Sequence, residues 1–287
     1  YAWDKNSMKE VQEVQEDPNQ NKDENSSGKL RSVPAANNKE NTPSEPCYFE
    51  AYYEVKKPLL YRPTKDYAEP SRDRLNIFGY DLNTANFKEL NNSNCKMTIN
   101  GNPSPFKRKF DQEGSYKVQV TINDANLNQI KSLRNMFRHC PSLVKVDFTH
   151  FNLNSLLNLN GLFEMCINLK EANLAKLDTT YVTDFGHMFS GCAKLQKVNL
   201  EGWRTANCIH MEGMFQSCLE LKSLDLSSFS LYNTVNMSCM FSECRELNSL
   251  IISDEFNTKK VQYMYGIFFA CEQLDSKLKK KISPRFG

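Results

Sequence analysis

Residues 188–200 read MFSGCAKLQKVNL, and residues 214–226, which begin 26 positions later, read MFQSCLELKSLDL. Six cysteines follow this interval, the last one after 27 residues: Cys140, Cys166, Cys192, Cys218, Cys244 and Cys271. A phenylalanine lies three positions before each of these cysteines, and a leucine lies three positions after it. A period of roughly 20 to 50 residues is typical of a repeat array, in which one copy cannot bury its apolar face without its neighbours.

Each copy of the repeat combines two apolar spacings. Met211, Met214, Phe215 and Cys218 fall at offsets 0, 3, 4 and 7, which is typical of one face of a short helix. The Leu-x-x-Leu-x-Leu pattern that follows ends in alternating apolar and polar residues, which is typical of a strand with one buried face. The sequence therefore predicts an α/β fold, namely a leucine-rich-repeat solenoid with a short helix plus a strand per repeat, a small β-rich N-terminal capping module and an extended N-terminal tail.

The repeated cysteines are interpreted as buried thiols. They lie between phenylalanine and leucine positions on the predicted inner face, where a free cysteine behaves as a small apolar side chain. Stacked copies would also bring equivalent Cα atoms into disulfide range. Because six adjacent thiols would be prone to oxidation in an oxidising compartment, thiol forms favour a reducing one. Cys208, His210 and Cys218 lack the spacing of a structural zinc site, so the sequence predicts no metal and no cofactor.

Four of the repeated phrases identify a family resemblance. NMFRHCPSL, HMFSGCAKLQKVNL, GMFQSCLELKSLDLSSF and VNMSCMFSECRELNSL resemble the BspA-like leucine-rich repeats of bacterial and protist surface proteins, over residues 131–274. Upstream, RLNIFGYDL, NCKMTINGN and GSYKVQVTI are similar to the β-rich segment that precedes such repeats in protist members. The resemblance implies a solenoid used for adhesion or protein binding and supplies no catalytic residues. Leu159, Gly161 and Leu162 depart from the Met-rich pattern in the second copy.

The composition changes along the chain and predicts five regions. They are a polar extended or disordered tail at 1–46, an aromatic and proline-rich segment at 47–73, a β-rich cap at 74–130, six repeats at 131–275 and a basic tail at 276–287. In the cap, LNIFG, CKMTI, FKRKF and YKVQVTI are predicted strands, with a turn at NGNPSP.

Two surfaces are candidate partner-binding sites. Polar residues between the buried strand positions form the first, which could equally be a solvated face: Lys145, Asp147, Glu171, Asn173, Lys197, Asn199, Ser223 and Asp225. Aromatic and aliphatic residues of the second segment form the other, a docking segment that packs either on the chain's own repeats, as we favour, or on a partner: Tyr48, Phe49, Tyr52, Tyr53, Leu60 and Tyr61.

Function is expected to come from these surfaces rather than from catalysis. No phosphate-binding loop, dinucleotide fingerprint, zinc-protease motif or serine-hydrolase motif occurs, so no enzyme activity and no small-molecule substrate are predicted. A formal charge of +2 gives no general attraction to nucleic acid, and no apolar run is long enough to span a membrane. We expect a protein-binding scaffold or structural subunit of a larger assembly. An intracellular reducing compartment is favoured, and a secreted or cell-surface adhesin is the alternative.

Overall fold

The computed structural model describes residues 46–56, 77–79, 90, 92–106 and 110–283. The predicted polar tail, apart from Pro46, lies outside the described residues, as do Leu60 and Tyr61 of the docking segment.

Most of the regular elements in the described residues are β-strands, which form two sheets. The strands are β1 Tyr48–Val55, β2 Cys95–Ile99, β3 Asn102–Ser104, β4 Gly114–Ile122, β5 Leu143–Asp147, β6 Glu171–Asn173, β7 Lys197–Asn199, β8 Ser223–Leu226 and β9 Ser249–Ile252. Seven of them form a mixed sheet in the order β3-β2-β4-β1-β5-β6-β7, and β8 pairs with β9 in a second sheet. Strands β5, β6 and β7 are parallel, as are β8 and β9. Short 3-10 helices occupy Asp124–Asn126 and Thr258–Lys260.

The predicted α/β solenoid with one helix per repeat is wrong. Within the described residues, the one α-helix is α1, Ser276–Ile282, which follows the last copy. Where a helix was predicted in each copy, the chain forms consecutive turns. The Phe137 N–H donates to the Leu162 carbonyl in the next copy at 2.9 Å, and the Cys140 N–H donates only three residues back, to Phe137, at 3.1 Å. Asn135 and His139 have positive φ, 58° and 56°, which a helix does not permit. The N–H groups that a helix needs internally are therefore used between copies.

Strand β1 contains the described part of the predicted docking segment. It pairs antiparallel with β4 on one side and with β5 on the other, so it joins the N-terminal strands to the repeats in one sheet. Phe49, Ala51, Tyr53 and Val55 alternate with more exposed residues and are buried. Phe49 and Tyr53 thus lie in the protein's own core, which agrees with the favoured expectation that this segment packs on the chain itself.

The predicted strands of the N-terminal module are partly confirmed. CKMTI is β2, and YKVQVTI lies within β4. The tight turn between β2 and β3 uses Asn100 and Gly101, both with positive φ, 50° and 80°, as a two-residue hairpin requires. The predicted strands LNIFG and FKRKF are wrong in their described residues, which belong to no strand. Strand β3 instead occupies part of the predicted turn.

Residues 77–79 cover the first copy of the repeat. The Gly79 N–H donates to the Met136 carbonyl at 2.8 Å, and the Cys140 thiol lies 3.7 Å from the Ile77 carbonyl. A Cβ on Gly79 would lie 2.4 Å from the Asn135 carbonyl oxygen, so this close approach requires glycine. The segment that was predicted as a strand therefore works as a cap on the open end of the array.

The core of the repeats consists of two columns that run through all six copies. Phenylalanine rings stack on their equivalents with centroid separations of 5.3 to 6.1 Å, in the series Phe137, Phe163, Phe189, Phe215, Phe241 and Phe268. The cysteine thiols form the second column. From Cys166 to Cys271, each thiol donates to the carbonyl of the phenylalanine in the preceding copy, at 2.7 to 3.3 Å. The thiols thus link neighbouring copies through hydrogen bonds.

The thiol form of these cysteines agrees with their surroundings. All ten cysteines of the chain are free. Burial raises the pKa of the Cys166, Cys192 and Cys218 thiols, because the apolar core disfavours a thiolate. A protonated thiol keeps the hydrogen that it donates to the neighbouring carbonyl. The prediction of buried thiols is confirmed, and the hydrogen-bonding role adds to it.

Candidate functional site

The structure gathers six of the eight predicted strand-face residues on the seven-stranded sheet. Parallel pairing aligns Lys145 with Glu171 and Glu171 with Lys197, and it aligns the second column in the same way: Asp147, Asn173 and Asn199. Ser223 and Asp225 lie on β8, which pairs with β9 in the other sheet. Whether this face binds a partner remains a prediction.

Strands β1 and β4 extend the first column into a row that crosses five strands. Tyr52 of β1 is in register with Lys117 of β4 on one side and with Lys145 of β5 on the other. We call the five residues Lys117, Tyr52, Lys145, Glu171 and Lys197 the charged row. Adjacent strands lie roughly 4.8 Å apart, so the row presents four charges and one aromatic ring along a single line.

Close contacts hold the charged row together. Glu171 lies between two lysines, with Oε2 3.3 Å from Lys145 Nζ and Oε1 3.5 Å from Lys197 Nζ. The Nζ atoms of Lys117 and Lys145 lie 5.7 and 5.8 Å from the centre of the Tyr52 ring. That distance suits a cation–π interaction with each lysine. Tyr52 is therefore an aromatic residue between two cations on the polar face.

The electrostatics of the row follow from these contacts. The hydrogen bond from Lys145 is the main reason that the pKa of Glu171 is lowered, so this carboxylate is charged at neutral pH. Burial and the hydrogen bond from Tyr52 to Glu50 raise the pKa of the Tyr52 hydroxyl, which keeps it neutral. The Glu50 carboxylate also holds Lys117 at 2.7 Å and raises the pKa of its ammonium group.

The second predicted column has a structural role. Asp147, Asn199 and Asp225 each accept a hydrogen bond from the backbone N–H two residues ahead, at 2.9, 3.0 and 2.8 Å. Such side-chain turns bend the chain as it leaves a strand. Asn173 differs, because its Oδ1 is buried and accepts no hydrogen bond within the described residues. Three of the four side chains in this column are therefore occupied within their own copies.

Sequence reasoning missed Lys117 and Glu50, and it assigned Tyr52 to the docking segment. The signal that would have found them is the alternation at residues 47–55, where Cys47, Phe49 and Ala51 begin a period of two. A strand at this position puts Glu50 and Tyr52 on the face opposite the core. Of the remaining docking residues, Tyr48 stacks on His150 with ring centroids 4.6 Å apart.

A pocket lies at the amino ends of β5 to β7. The pocket has a volume of about 390 Å³, and its polar lining includes Glu54, Lys56, Lys170 and Lys194. Three of these four side chains are cationic, so the pocket continues the basic character of the neighbouring face.

Two kinds of feature are absent from the described residues. Nowhere in residues 46–56, 77–79, 90, 92–106 or 110–283 are three His, Cys, Asp or Glu side chains grouped so that they could hold a metal ion. In the same part of the chain, none of the helices has the length and apolar character needed to cross a bilayer.

Comparison with known proteins gives one family. A family model described as "Mycoplasma protein of unknown function, DUF285" matches residues 105–223 and, in a second overlapping match, residues 158–281. These ranges include β4 and every copy of the repeat, and the match supports the resemblance to BspA-like repeats. No curated protein and no solved structure matches the chain.

Proposed function

The chain belongs to the DUF285 family, and we propose that it is a non-catalytic protein-binding subunit whose contact surface is the charged row. The observation that carries this proposal is the alignment of Lys117, Tyr52, Lys145, Glu171 and Lys197 across five adjacent strands. A regular sheet fixes the spacing of these groups before a partner arrives, which lowers the entropy lost on binding.

A non-catalytic role is supported by the way the chain uses its reactive side chains. The Cys192 and Cys218 thiols are buried and donate to carbonyls of neighbouring copies. The Asp147 and Asp225 carboxylates accept turn N–H groups. These side chains hold the array in register, and a structural hydrogen bond of this kind leaves little freedom for proton transfer or nucleophilic attack.

The charges of the row indicate the kind of partner. Three lysines stand against Glu171 and the adjacent Glu50, which pairs with Lys117, and the side chain of Lys197 is 77% exposed. We therefore expect a protein surface that is mainly acidic, with an apolar group over the Tyr52 ring. Charge complementarity of this kind controls the choice of partner and the association rate more than the affinity.

A charge swap tests the charged row. The double variant Lys145→Glu/Glu171→Lys keeps an ion pair of opposite charges inside the row but reverses the pattern that a partner meets. A photo-crosslinking residue at position 197 should yield a discrete adduct in extracts of the native source with the parent chain, and the adduct should disappear with the double variant. Position 181, where Tyr181 is 52% exposed, is the control site and should give no such adduct. An adduct that survives the swap, or that forms equally from position 181, would contradict the proposal.

A protein-binding subunit of this kind could act in either of two cellular locations. A subunit of an intracellular assembly is the first proposal, and a secreted or cell-surface adhesin is the second, which the surface proteins of the BspA-like family favour. Mass spectrometry of the native protein separates them. Fully reduced thiols without N-linked glycan support the first proposal. Glycan at Asn236, which begins an N-x-Ser sequence in the penultimate copy, supports the second.

A further inference from the structure

The backbone hydrogen bonds that join the turn regions of neighbouring copies have one direction, unlike those of the adjoining segments. In the turn regions of the first five copies, alternate N–H groups donate to carbonyl oxygens of the following copy. In the penultimate copy these donors are Met237, Cys239, Phe241 and Glu243, at 2.8, 2.7, 3.0 and 2.7 Å from the carbonyls of the last copy. In its turn region, each copy therefore directs these N–H groups toward the following copy and the accepting carbonyl oxygens toward the preceding copy.

The last copy ends this series with unused donors. Its equivalent N–H groups belong to Met264, Gly266, Phe268 and Ala270, and within the described residues they make no hydrogen bond. We call these four groups the donor edge. Gly266 and Ala270 have φ values of 60° and 55°, close to the values of the corresponding residues of the penultimate copy. The turn thus keeps the shape that donates forward, and α1, rather than another turn region, comes next in the described chain.

Aromatic side chains surround the donor edge and occur at these positions only in the last copy. Tyr263, Tyr265 and Phe269 are 58%, 81% and 66% exposed. The equivalent residues of the penultimate copy are polar: Asn236, Ser238 and Ser242. Terminal copies of repeat proteins usually carry a polar outer surface. An exposed aromatic group beside unpaired backbone donors is instead typical of a surface that a partner covers.

Helix α1 covers another part of the last copy and adds positive charge. The Thr258 hydroxyl donates to the Ile282 carbonyl at 2.7 Å, and the Ile282 side chain is buried. The Lys279 ammonium group donates to the Cys271 carbonyl, while Lys277, Lys280 and Lys281 of the helix are exposed. Between Cys271 and Ile282 four lysines stand against Glu272 and Asp275, so the segment that follows the donor edge is net basic.

Hydrogen-bond direction disfavours a second copy of this chain as the occupant. Two donor edges facing each other would place N–H groups against N–H groups, without acceptors. A head-to-tail contact would need the carbonyl side of the first copy, where the Gly79 N–H already occupies the Met136 carbonyl. The Phe78 ring also lies against Phe137, with centroids 5.7 Å apart. The occupant must therefore bring its own row of carbonyl oxygens.

We propose that the donor edge binds an extended, acidic segment of another protein, whose backbone carbonyls accept from Met264, Gly266, Phe268 and Ala270 and whose side chains contact Tyr263, Tyr265 and Phe269. Addition of a backbone segment to an exposed row of donors is a common mode of peptide recognition. Acidic side chains complement the exposed lysines of α1. This surface is separate from the charged row and does not depend on the role proposed for that row.

The experiment uses the whole chain and two short synthetic peptides, one of alternating Glu and Thr and one of alternating Lys and Thr. Amide resonances of the four donor-edge residues should shift and become protected from hydrogen exchange when the Glu-Thr peptide is added, and the Lys-Thr peptide should leave them unchanged. Tyr265→Ala should weaken binding at least about fivefold, as expected for an aromatic anchor. Tyr181→Ala, at an exposed tyrosine elsewhere in the array, is the matched control and should bind as the parent does.

Three results would overturn the proposal. Shifts confined to the lysines of α1 would mean that the peptide is held by charge alone. Protection of the donor edge that rises with protein concentration in the absence of peptide would mean that a second copy occupies it. Equal binding by the parent and by Tyr265→Ala would show that the aromatic residues do not contribute.

Discussion

Removal of one ring from the middle of the phenylalanine column tests whether the column stabilises the array. Phe189 is fully buried, and its ring stacks on Phe163 and on Phe215 at centroid distances of 5.3 and 5.5 Å. Burial of a phenylalanine contributes roughly 1.5 to 3 kcal/mol, and each aromatic pair adds about 0.5 to 1.5 kcal/mol. Phe189→Ala should therefore lower the free energy of unfolding by about 4 kcal/mol, within the range of about 3 to 5 kcal/mol known for such changes.

The terminal ring of the same column provides the matched comparison. Phe268 is partly exposed and stacks on one neighbour, Phe241, at 5.6 Å. With about half of the burial and one aromatic pair, Phe268→Ala should cost only about 2 kcal/mol. Both residues occupy the same place in their copies, so the difference between the two variants measures what the second neighbour contributes.

Urea denaturation followed by far-ultraviolet circular dichroism measures both variants. The midpoint should fall for both, and about twice as far for Phe189→Ala, with the dependence on urea unchanged. Equal losses for the two variants, or a loss below about 1 kcal/mol for Phe189→Ala, would refute the reasoning, because the stacked neighbours would then not stabilise the ring.

Three further predictions concern the cap, the thiols and the charged row. Gly79→Ala should lower the free energy of unfolding by about 2 kcal/mol, because its Cβ would meet backbone atoms at 2.4 to 2.8 Å; urea denaturation measures this, and an unchanged midpoint would show that the cap can move aside. Iodoacetamide should modify the partly exposed Cys239 well before the buried thiols, as peptide mass spectrometry can show; fast labelling of Cys218 would contradict the buried column. The Glu171 carboxyl should titrate below its ordinary pKa, and Lys145→Met should move that pKa upward, as a carboxyl NMR titration can measure.

The sign of the Glu171 effect on stability follows from its lowered pKa. A carboxyl whose pKa is lower in the folded state stabilises the fold above its unfolded pKa, about 4.3. That contribution is lost as the pH falls through the folded pKa. Its size should stay below about 1 kcal/mol, because the Glu171 side chain is 40% exposed and solvent screens the pair. A Glu171 pKa above the ordinary value would contradict the ion pairs of the charged row.

The repeat could be predicted from the sequence, whereas its local conformation could not. The spacing of Met211, Met214, Phe215 and Cys218 places four side chains on one face in a helix and also in a series of three-residue turns. A run of eight residues gains little from helix formation alone. The adjacent copies supply carbonyl acceptors for alternate N–H groups, as they do for Phe215, which donates to Met240 at 2.9 Å. Contacts between copies therefore decide the conformation, and a single copy does not reveal them.

Part of the charged row could be predicted from the sequence. Lys145, Glu171 and Lys197 follow from the period, because equivalent residues align when copies pair in parallel. Lys117 and Tyr52 belong to strands whose partners lie far away in the chain, and no short-range pattern specifies that β1 pairs with both β4 and β5. The alternation in β1 was present, but the density of aromatic residues favoured a docking interpretation over a strand.

The position of β1 has a consequence for how the protein can be divided. The region that the family matches cover begins at residue 105, yet the Phe49 ring of β1 lies between β4 and β5 and stacks on Phe148 with centroids 5.0 Å apart. A fragment that starts at residue 105 would lose this ring and the backbone hydrogen-bond partners of β4 and β5. It would also expose apolar residues and unpaired strand edges to other chains. The region that the family matches cover therefore omits a strand that pairs with two others, and during synthesis β1 stays without both partners until β4 and β5 have been made.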